Sequence, residues 1–524
     1  MRFFNTEGPV RSDDHYMLPP LSRWDMDEVM MMIEQKKYFL LHAPRQTGKT
    51  SCLLALMDYL NRQGRYQAVY ANIEGAQAWR ERIDEAMATM VTDIASSAQI
   101  WTQDQERPQH AREVLAHTAP GSALGTFLSQ WSQRSPKPLV LLLDEVDALI
   151  GDTLLSLLRQ LRAGYPQRPT AFPHTVILCG VRDLRDYRIH ASSEKDPITG
   201  GSAFNIKAKS LRLGDFNRDE TLTLLQEHTK ATGQAFTPEA LARVWELTQG
   251  QPWLVNALAY RATFEIRSGR DRSRPITVEL IDQAKEAMIV ERVTHLDQLA
   301  HKLQEPRVRR VIEPMLAGLT PEAVADDERD YLLDLGLLRR ADGGGLIVAN
   351  PIYREVLPRM LASGPQDSLP RIEPSWLNAD HTLNPRKLLD AFLSFWRQHG
   401  EPLLKSAPYH EIAPHLVLMA FLHRVVNGGG TLERDYAIGS GRMDLCLRYG
   451  AVTLGMELKV WRDGRPDPLA VGLTQIDAYL AGLGLDSGWL VIFDRRSNQP
   501  SIEQRTTCET QTSPQGREIQ VVRG

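Results

Sequence analysis

The chain is poor in cysteine, in long apolar runs and in charge of one sign. Its four cysteines, Cys52, Cys179, Cys446 and Cys508, are scattered over 524 residues. That spacing excludes a disulfide framework and a paired zinc site, so reduced thiols are expected. No apolar run reaches the roughly 18 residues that a membrane span needs, and Met1-Arg2-Phe3-Phe4-Asn5 lacks the form of a signal peptide. A cytoplasmic protein with no membrane partner is expected. Lys plus Arg total 61 against 65 Asp plus Glu, a net charge of -4. No global basic field advertises nucleic acid, which leaves only a local patch to bind it. The length is too great for one compact core and implies about three or four domains.

What is present first is Ala43-Pro44-Arg45-Gln46-Thr47-Gly48-Lys49-Thr50-Ser51, between the apolar run Tyr38-Phe39-Leu40-Leu41 and the helical run Ser51 to Leu56. It reads as a phosphate-binding loop in which a strand feeds a tight turn and the turn opens a helix. Backbone N–H groups and the helix N-terminus then face one point and can cradle a triphosphate, Pro44 alone having no N–H to offer. Lys49 would reach the β- and γ-phosphates of ATP, and the Thr50 hydroxyl would ligate Mg²⁺. Ala43 stands where the pattern has its first glycine.

Further on, Gln67 to Ile73 reads as a second buried strand and Trp79 to Ser97 as a long helix. Pro138 then leads Leu139-Val140-Leu141-Leu142-Leu143-Asp144-Glu145-Val146-Asp147. Five apolar residues in a row suit a strand buried on both faces of a parallel sheet, and they deliver two carboxylates to its C-terminal end. This is a Walker B arrangement: Asp144 would hold Mg²⁺ through water, and Glu145 would orient and polarise the attacking water. Another strand, Thr175 to Val181, precedes Arg182 and Arg185, each either a nucleotide sensor or a surface cation. Phe204 to Leu213 completes the core, in the order of a doubly wound nucleotide-binding sheet.

From Arg218 to Arg267 the pattern is helical, broken at Gly250-Gln251-Pro252-Trp253. The Gly-x-Pro turn resembles that in the helical lid of AAA-like ATPases of the signal-transducing (STAND) group and their archaeal-type relatives; a plain helix–helix turn reads equally well. Residues 276–362 resemble the winged-helix module of the archaeal-type members. The likeness lies in Tyr331 to Leu338, the glycine turn Gly343-Gly344-Gly345, and Leu346 to Val356. Without a dense basic run on the recognition helix, packing rather than DNA reading is expected of it. Residues 363–385 read as a linker.

The second centre lies past the linker. A helix from Ile412 to Asn427, with Glu411 at its start, runs into Gly428-Gly429-Gly430. A strand from Tyr436 through Asp444 to Leu447 then turns into Val452 to Val460. Such a hairpin lets Asp444 and Glu457 converge, and Glu457 and Lys459, two apart, share a face. Two carboxylates and a lysine at one point can hold a hard divalent cation and activate water beside it; an exposed salt bridge is the plainer reading. The pattern resembles the PD-(D/E)XK nuclease superfamily, with Asp444 as its first acid and Glu457-x-Lys459 as its second half. Gln475-x-x-x-Tyr479 has the spacing of some members' downstream helix, and Met443 replaces the usual leading proline. Glu411 would supply a further acid.

These readings give an α/β chain: a P-loop ATPase with a doubly wound parallel sheet (1–213), helical lid (214–275), winged helix (276–362), linker (363–385) and a restriction-endonuclease-like α/β domain (386–524). The resemblance implies a regulatory ATPase coupled to a Mg²⁺-dependent nuclease with DNA as the favoured partner, in defence against foreign DNA. A homo-oligomer is left open. The alternative is a signalling or assembly protein whose C-terminal fold binds nucleic acid or a partner without cutting.

Overall fold

A computed structural model describes residues 1–149, 151–183, 188–189, 198–199, 205–291, 294–303, 305–316, 324–341, 343–358, 374–406, 413–426, 430–438 and 441–524. Arg185, Phe204, Glu411, Ile412, Asn427, Gly428, Gly429, Gly439, Ser440 and the first part of the expected linker lie outside the described residues. The chain divides into two compact units. Unit 1 comprises Met1–Val290 and Ala325–Leu346, and unit 2 comprises Glu291–Val324 and Ile347–Gly524. Both units therefore draw on the stretch 276–362.

Unit 1 is built on five parallel strands, β1 (Tyr38–His42), β2 (Gln67–Asn72), β3 (Leu139–Asp144), β4 (Thr175–Gly180) and β5 (Lys207–Arg212). Their order in the sheet is β2-β3-β4-β1-β5. β1, β3 and β4 are buried at every residue, because apolar side chains on both pleat faces must be covered. On one face Leu40, Val69, Leu141, Leu143 and Leu178 pack under α3 (Ile83–Thr102), α4 (Ala123–Arg134) and α5 (Gly151–Gly164). On the other, Phe39, Leu41, Tyr70, Leu142 and Ile177 pack under α1 (Met26–Glu34) and α2 (Lys49–Gln63). The alternation along each strand thus builds two cores, one per face, and sends polar chemistry to the strand ends.

After β5 come α6 (Arg218–Thr232), α7 (Pro238–Thr248) and α8 (Pro252–Tyr260). α6 starts at a capping box: Asn217 Oδ1 accepts from Glu220 N, and Glu220 Oε2 accepts from Asn217 N, at 2.9 and 2.8 Å. Between α7 and α8, Gly250 has φ +78° and gives its carbonyl to Phe216 N at 2.9 Å. α9 (Asp326–Asp334) belongs to the same unit.

Unit 2 contains α10 (Pro385–Ser406), α11 (Ala413–Val426), α12 (Leu469–Leu483) and a six-stranded mixed sheet. Its strands are β6 (Gly430–Ile438), β7 (Gly441–Tyr449), β8 (Val452–Trp461), β9 (Ser487–Asp494), β10 (Thr507–Thr512) and β11 (Glu518–Arg523), ordered β6-β7-β8-β9-β11-β10. β8, β9 and β11 are parallel neighbours; the other pairs are antiparallel. The run read from sequence as one strand over 436–447 is two, β6 and β7, which pair antiparallel with Ile438 opposite Gly441. α12 is fastened by buried Asp477, whose carboxylate accepts from Ser513 Oγ (2.6 Å), Gln515 N (3.0 Å) and Arg517 Nη1 (2.7 Å).

A Cβ at Gly250 would stand 1.9 Å from the Phe216 carbonyl oxygen, in a backbone region that L-residues avoid. Gly250→Ala is expected to destabilise unit 1 by about 1–3 kcal/mol. Thermal melting followed by near-UV circular dichroism checks this, and an unchanged transition would refute the close approach.

Candidate functional site

The chemistry of unit 1 gathers where β1 and β3 end. Buried Ala43 closes β1, its N–H donating to Gly180 O at 3.3 Å. In the loop that follows, positive φ falls on Gln46 (57°) and Gly48 (92°), not on Ala43. The position that departs from the usual glycine therefore makes no demand for one. Alternating backbone of this kind turns successive N–H groups to one side and makes an anion nest. Thr47, fully buried, donates from Oγ1 to Pro44 O at 2.8 Å and ties the loop to itself. Lys49 Nζ lies inside the loop and donates to the carbonyls of Ala43 and Pro44, each at 3.0 Å. Arg45 is exposed, and Ser51 Oγ accepts from Val10 N at 3.1 Å.

Asp144 is 1% exposed. Its Oδ2 accepts from Thr50 Oγ1 at 2.7 Å and Tyr70 Oη at 3.1 Å, and its Oδ1 accepts from Glu145 N at 3.0 Å. The Thr50 hydroxyl and the Asp144 carboxylate thus stand side by side beside the nest, a donor set that suits a hard cation bridging to phosphate oxygens. Glu145 follows with φ 58°, which turns the chain sharply out of the strand. Burial first, then Asp144 and Asp147, push its carboxyl above the ordinary glutamate value, while Lys49 pulls the other way. Asp147 Oδ1 accepts from Val181 N at 3.1 Å and so ties this turn to the end of β4. Arg182 lies over the Tyr331 ring, 5.2 Å from its centre.

A cleft of about 690 Å³, solvent mouth included, opens beside the loop and is lined by Thr6, Tyr16, Gly48, Cys52, Phe216 and Trp253 among others. Trp253 Nε1 donates to Thr6 O at 2.9 Å, which joins the start of α8 to the N-terminal segment there. Sequence reasoning missed Arg23. Its guanidinium donates to the carbonyls of Thr47 and Gly214 and lies over Phe216, 4.7 Å from the ring centre. One side chain thus joins the phosphate loop to the segment that follows β5. A lone arginine in Leu21-Ser22-Arg23-Trp24 carries no local signal of that task.

In unit 2, Asp444 on β7 and Glu457 on β8 are brought together. Leu445 pairs with Met456, and Asp444 Oδ2 accepts from Leu458 N at 2.8 Å. Glu457 is 3% exposed, and Lys459 Nζ donates to its Oε1 at 2.5 Å; Oε2 is buried and accepts no hydrogen bond. Burial first and Asp444 second push the Glu457 carboxyl up to about 8, against the pull of Lys459. A buried carboxylate oxygen with no donor beside a second carboxylate is a fit for a cation. Gln475 and Tyr479 lie on α12, which packs against the same face of the sheet, and Gln475 Oε1 too is buried without a donor. Among the described residues no group of three or more His, Cys, Asp and Glu side chains comes together as a metal site. Among them also, no helix is long and apolar enough to cross a membrane.

The parallel sheet, the nested loop with Lys49 and Thr50, and the acidic end of β3 define unit 1 as a P-loop fold of the ATPase class. The chain belongs to the AAA-like domain family, whose model matches residues 21–358. Among solved structures it is similar to a Walker-type ATPase of Pyrococcus abyssi, at 15% identity and TM-score 0.47 over 68% of this chain and 99% of that one. It is similar also to Cdc6p of Pyrobaculum aerophilum (16% identity, TM-score 0.37, 64% and 92% of the two chains). A third is the RuvB Holliday junction branch migration motor of Thermotoga maritima (15%, 0.34, 63% and 92%). No curated protein matches the chain.

Replacing Arg23 with Gln leaves the Thr47 and Gly214 carbonyls short of their donor and loosens the loop. Nucleotide affinity is expected to fall about tenfold, in keeping with the ~1.5–3 kcal/mol of a charge-assisted hydrogen bond. Titration with a fluorescent ATP analogue checks this; wild-type affinity would mean that Arg23 serves only the segment after β5.

Proposed function

We propose that this protein is an ATP-binding and ATP-hydrolysing switch that controls a metal-dependent phosphodiesterase centre in unit 2, with DNA as the favoured substrate. For the ATPase half, the observation that supports it most is the bond from Thr50 to buried Asp144 beside the Lys49 nest. Bound Mg²⁺ would be held through Thr50 and Asp144 and would supply neutralisation of phosphate charge. Lys49 exchanges the carbonyls of Ala43 and Pro44 for phosphate oxygens. Glu145, kept poorly solvated, orients the attacking water and accepts its proton more readily than an exposed glutamate would. The cleft between the N-terminal segment and Trp253 has room for the nucleoside.

For the second half, the carrying observation is the donorless Oε2 of Glu457 beside Asp444 and Lys459. A divalent cation held by Asp444 and Glu457 would supply a water of lowered pKa. Lys459 places its ammonium on the strand face that bears Glu457, where it stabilises charge developing on the phosphate. A restriction-endonuclease-like fold for unit 2, a winged helix over 276–362 and a role in defence against foreign DNA belong to this reading. So do a homo-oligomer and a cytoplasmic location. The test is a Mg²⁺-dependent cleavage assay on plasmid, linear and single-stranded DNA, with and without ATP. No cleavage under any of these conditions would leave the alternative of an ATP-controlled assembly protein.

Lys49→Ala is expected to weaken ATP binding by about tenfold or more, whereas Glu145→Gln should bind normally and hydrolyse ATP roughly 10²–10³ times more slowly. Nucleotide titration and steady-state turnover separate the two. Normal hydrolysis in Glu145→Gln would place the base elsewhere.

Asp444→Ala and Glu457→Ala should each lose cleavage together with Mn²⁺ binding measured by calorimetry. Lys459→Ala should lose cleavage and keep most of the Mn²⁺ affinity, since carboxylates are the ligands and the ammonium is a charge beside them. Cleavage surviving in Glu457→Ala would remove the nuclease assignment.

A further inference from the structure

Beyond the acidic pair, the same sheet carries a concentration of arginine that the cleavage chemistry does not use. Residues in register on neighbouring strands share a face. Lys459 pairs with Ile492 and Ile492 with Arg523, so the three form one row across β8, β9 and β11. Trp461 stands two residues beyond Lys459 on that face, about 6.6 Å along the strand, and Arg523 is about 10 Å across. Two guanidiniums flank the indole: Arg496 Cζ is 3.5 Å and Arg523 Cζ 5.6 Å from the ring centre. Trp461 packs on the apolar core under α12 and donates from Nε1 to Arg465 O at 3.0 Å.

Both arginines are held in place. Arg496 gives two hydrogen bonds to Asp494, at 2.7 and 3.0 Å, and Arg523 Nη2 lies 2.9 Å from Asp467 Oδ2. Exposed Arg495 is fixed through its backbone, whose N–H donates to Trp461 O at 2.8 Å. Around Arg496 the carboxylates of Asp494, Asp467 and Asp463 prevail and hold it above the ordinary arginine value, its hydrogen bond to Asp494 first; positive charge crowds on its neighbours. Arg462 and Arg505 are each held below the ordinary arginine value, by burial first. Arg495 adds to the effect at Arg462, and Arg495 with Arg496 adds to it at Arg505, where Asp494 and Glu401 oppose it. Asp494 takes Nε and Nη2 of Arg496, and Asp467 takes Nη2 of Arg523, so Nη1 of each guanidinium is the nitrogen that a phosphate oxygen would meet.

We propose that the arginine-flanked Trp461 platform docks the phosphodiester backbone of a nucleic-acid strand beside the Asp444–Glu457–Lys459 centre, by charge and without reading bases. The position of the scissile phosphate rests on the nuclease reading; the anion chemistry rests on the arginines alone. Base reading is not expected, because Arg496 lies 3.5 Å from the indole centre and occupies a face on which a base would otherwise stack. An arriving phosphate offsets the repulsion felt at Arg462 and Arg505 and displaces counterions from its own strand, which makes the contact salt-dependent.

The test uses the full chain, fluorescein-labelled duplex DNA of two unrelated sequences and a matching RNA duplex, with Ca²⁺ replacing Mg²⁺ and anisotropy read over a salt series. Arg496→Gln and Arg523→Gln should each weaken binding about 3–10-fold and lower the salt slope by about one. Arg523→Lys should keep the slope, and the two sequences should bind alike. In the wild-type protein, bound DNA should protect Arg496 and Arg523 from phenylglyoxal as read by mass spectrometry, which holds the test even where a Gln variant fails to fold. Equal modification with and without DNA, or an unchanged slope in the double Gln variant, overturns the platform. If such a double variant also cleaves DNA with an unchanged KM, the nuclease reading survives and the platform alone fails. If the wild type binds DNA through these arginines but never cleaves it, the platform stands and the nuclease reading fails. Wild-type protein that binds neither duplex at any salt concentration overturns both.

Discussion

A carboxylate at the end of a fully buried strand is the constraint on which unit 1 depends. β3 is covered on both faces by apolar side chains, so Asp144 is carried into a place where an unpaired charge would cost several kcal/mol. Thr50, Tyr70 and the Glu145 N–H answer that cost, and each answer fixes a neighbour. Thr50 is held in the first turn of α2, Tyr70 keeps β2 in register with β3, and Glu145 is driven into its positive-φ turn. Removing the charge would free all three; keeping it ties the phosphate loop to the acidic strand end before any ligand arrives.

The two glutamates make a useful contrast. Glu145 is half-buried among like charges and has Lys49 as its main counterweight. Glu457 is almost wholly buried, shares its site with Asp444, and has one oxygen taken by Lys459 and the other left without a donor. In the first, burial and like charges disfavour the ionised form and Lys49 opposes them. In the second, burial and Asp444 do the same, and Lys459 answers only one of the two oxygens.

Much of this was legible in the sequence where the signal is local. The loop Ala43 to Ser51 and the strand ending at Asp144 each announce themselves within about ten residues, and so do the Glu457-x-Lys459 spacing and the Gly250 break. Partners that meet only through the fold were not legible. Arg23 lies 24 residues from Thr47 and 191 from Gly214, and no periodicity marks it. The division between β6 and β7 had a local signal in Gly439-Ser440-Gly441, and reading 436–447 as one strand passed over it. At Ala43 the expected demand for glycine vanished, since the left-handed turn falls at Gln46 and Gly48 instead.

The segment that sequence pattern attached to a separate module shows how far such partners reach. Asp334, at the end of α9, lies 3.4 Å from His42 Nδ1 and accepts from Asp183 N at 3.1 Å, while Arg212 Nη2 donates to Leu333 O at 2.9 Å. These contacts come from the ends of β1, β4 and β5. Gly336 follows with φ +73°, and a Cβ there would meet Pro44 Cγ at 2.7 Å; Arg339 Nη2 donates to Gln249 Oε1 at the lid turn. One short stretch therefore touches the start of the phosphate loop, the strand end after Gly180 and the lid. To leave, it would have to strand a buried carboxylate, at several kcal/mol. At Gly336 the approach to Pro44 is close enough that a side chain there would collide with it, so the left-handed glycine is what lets the stretch lie against the loop.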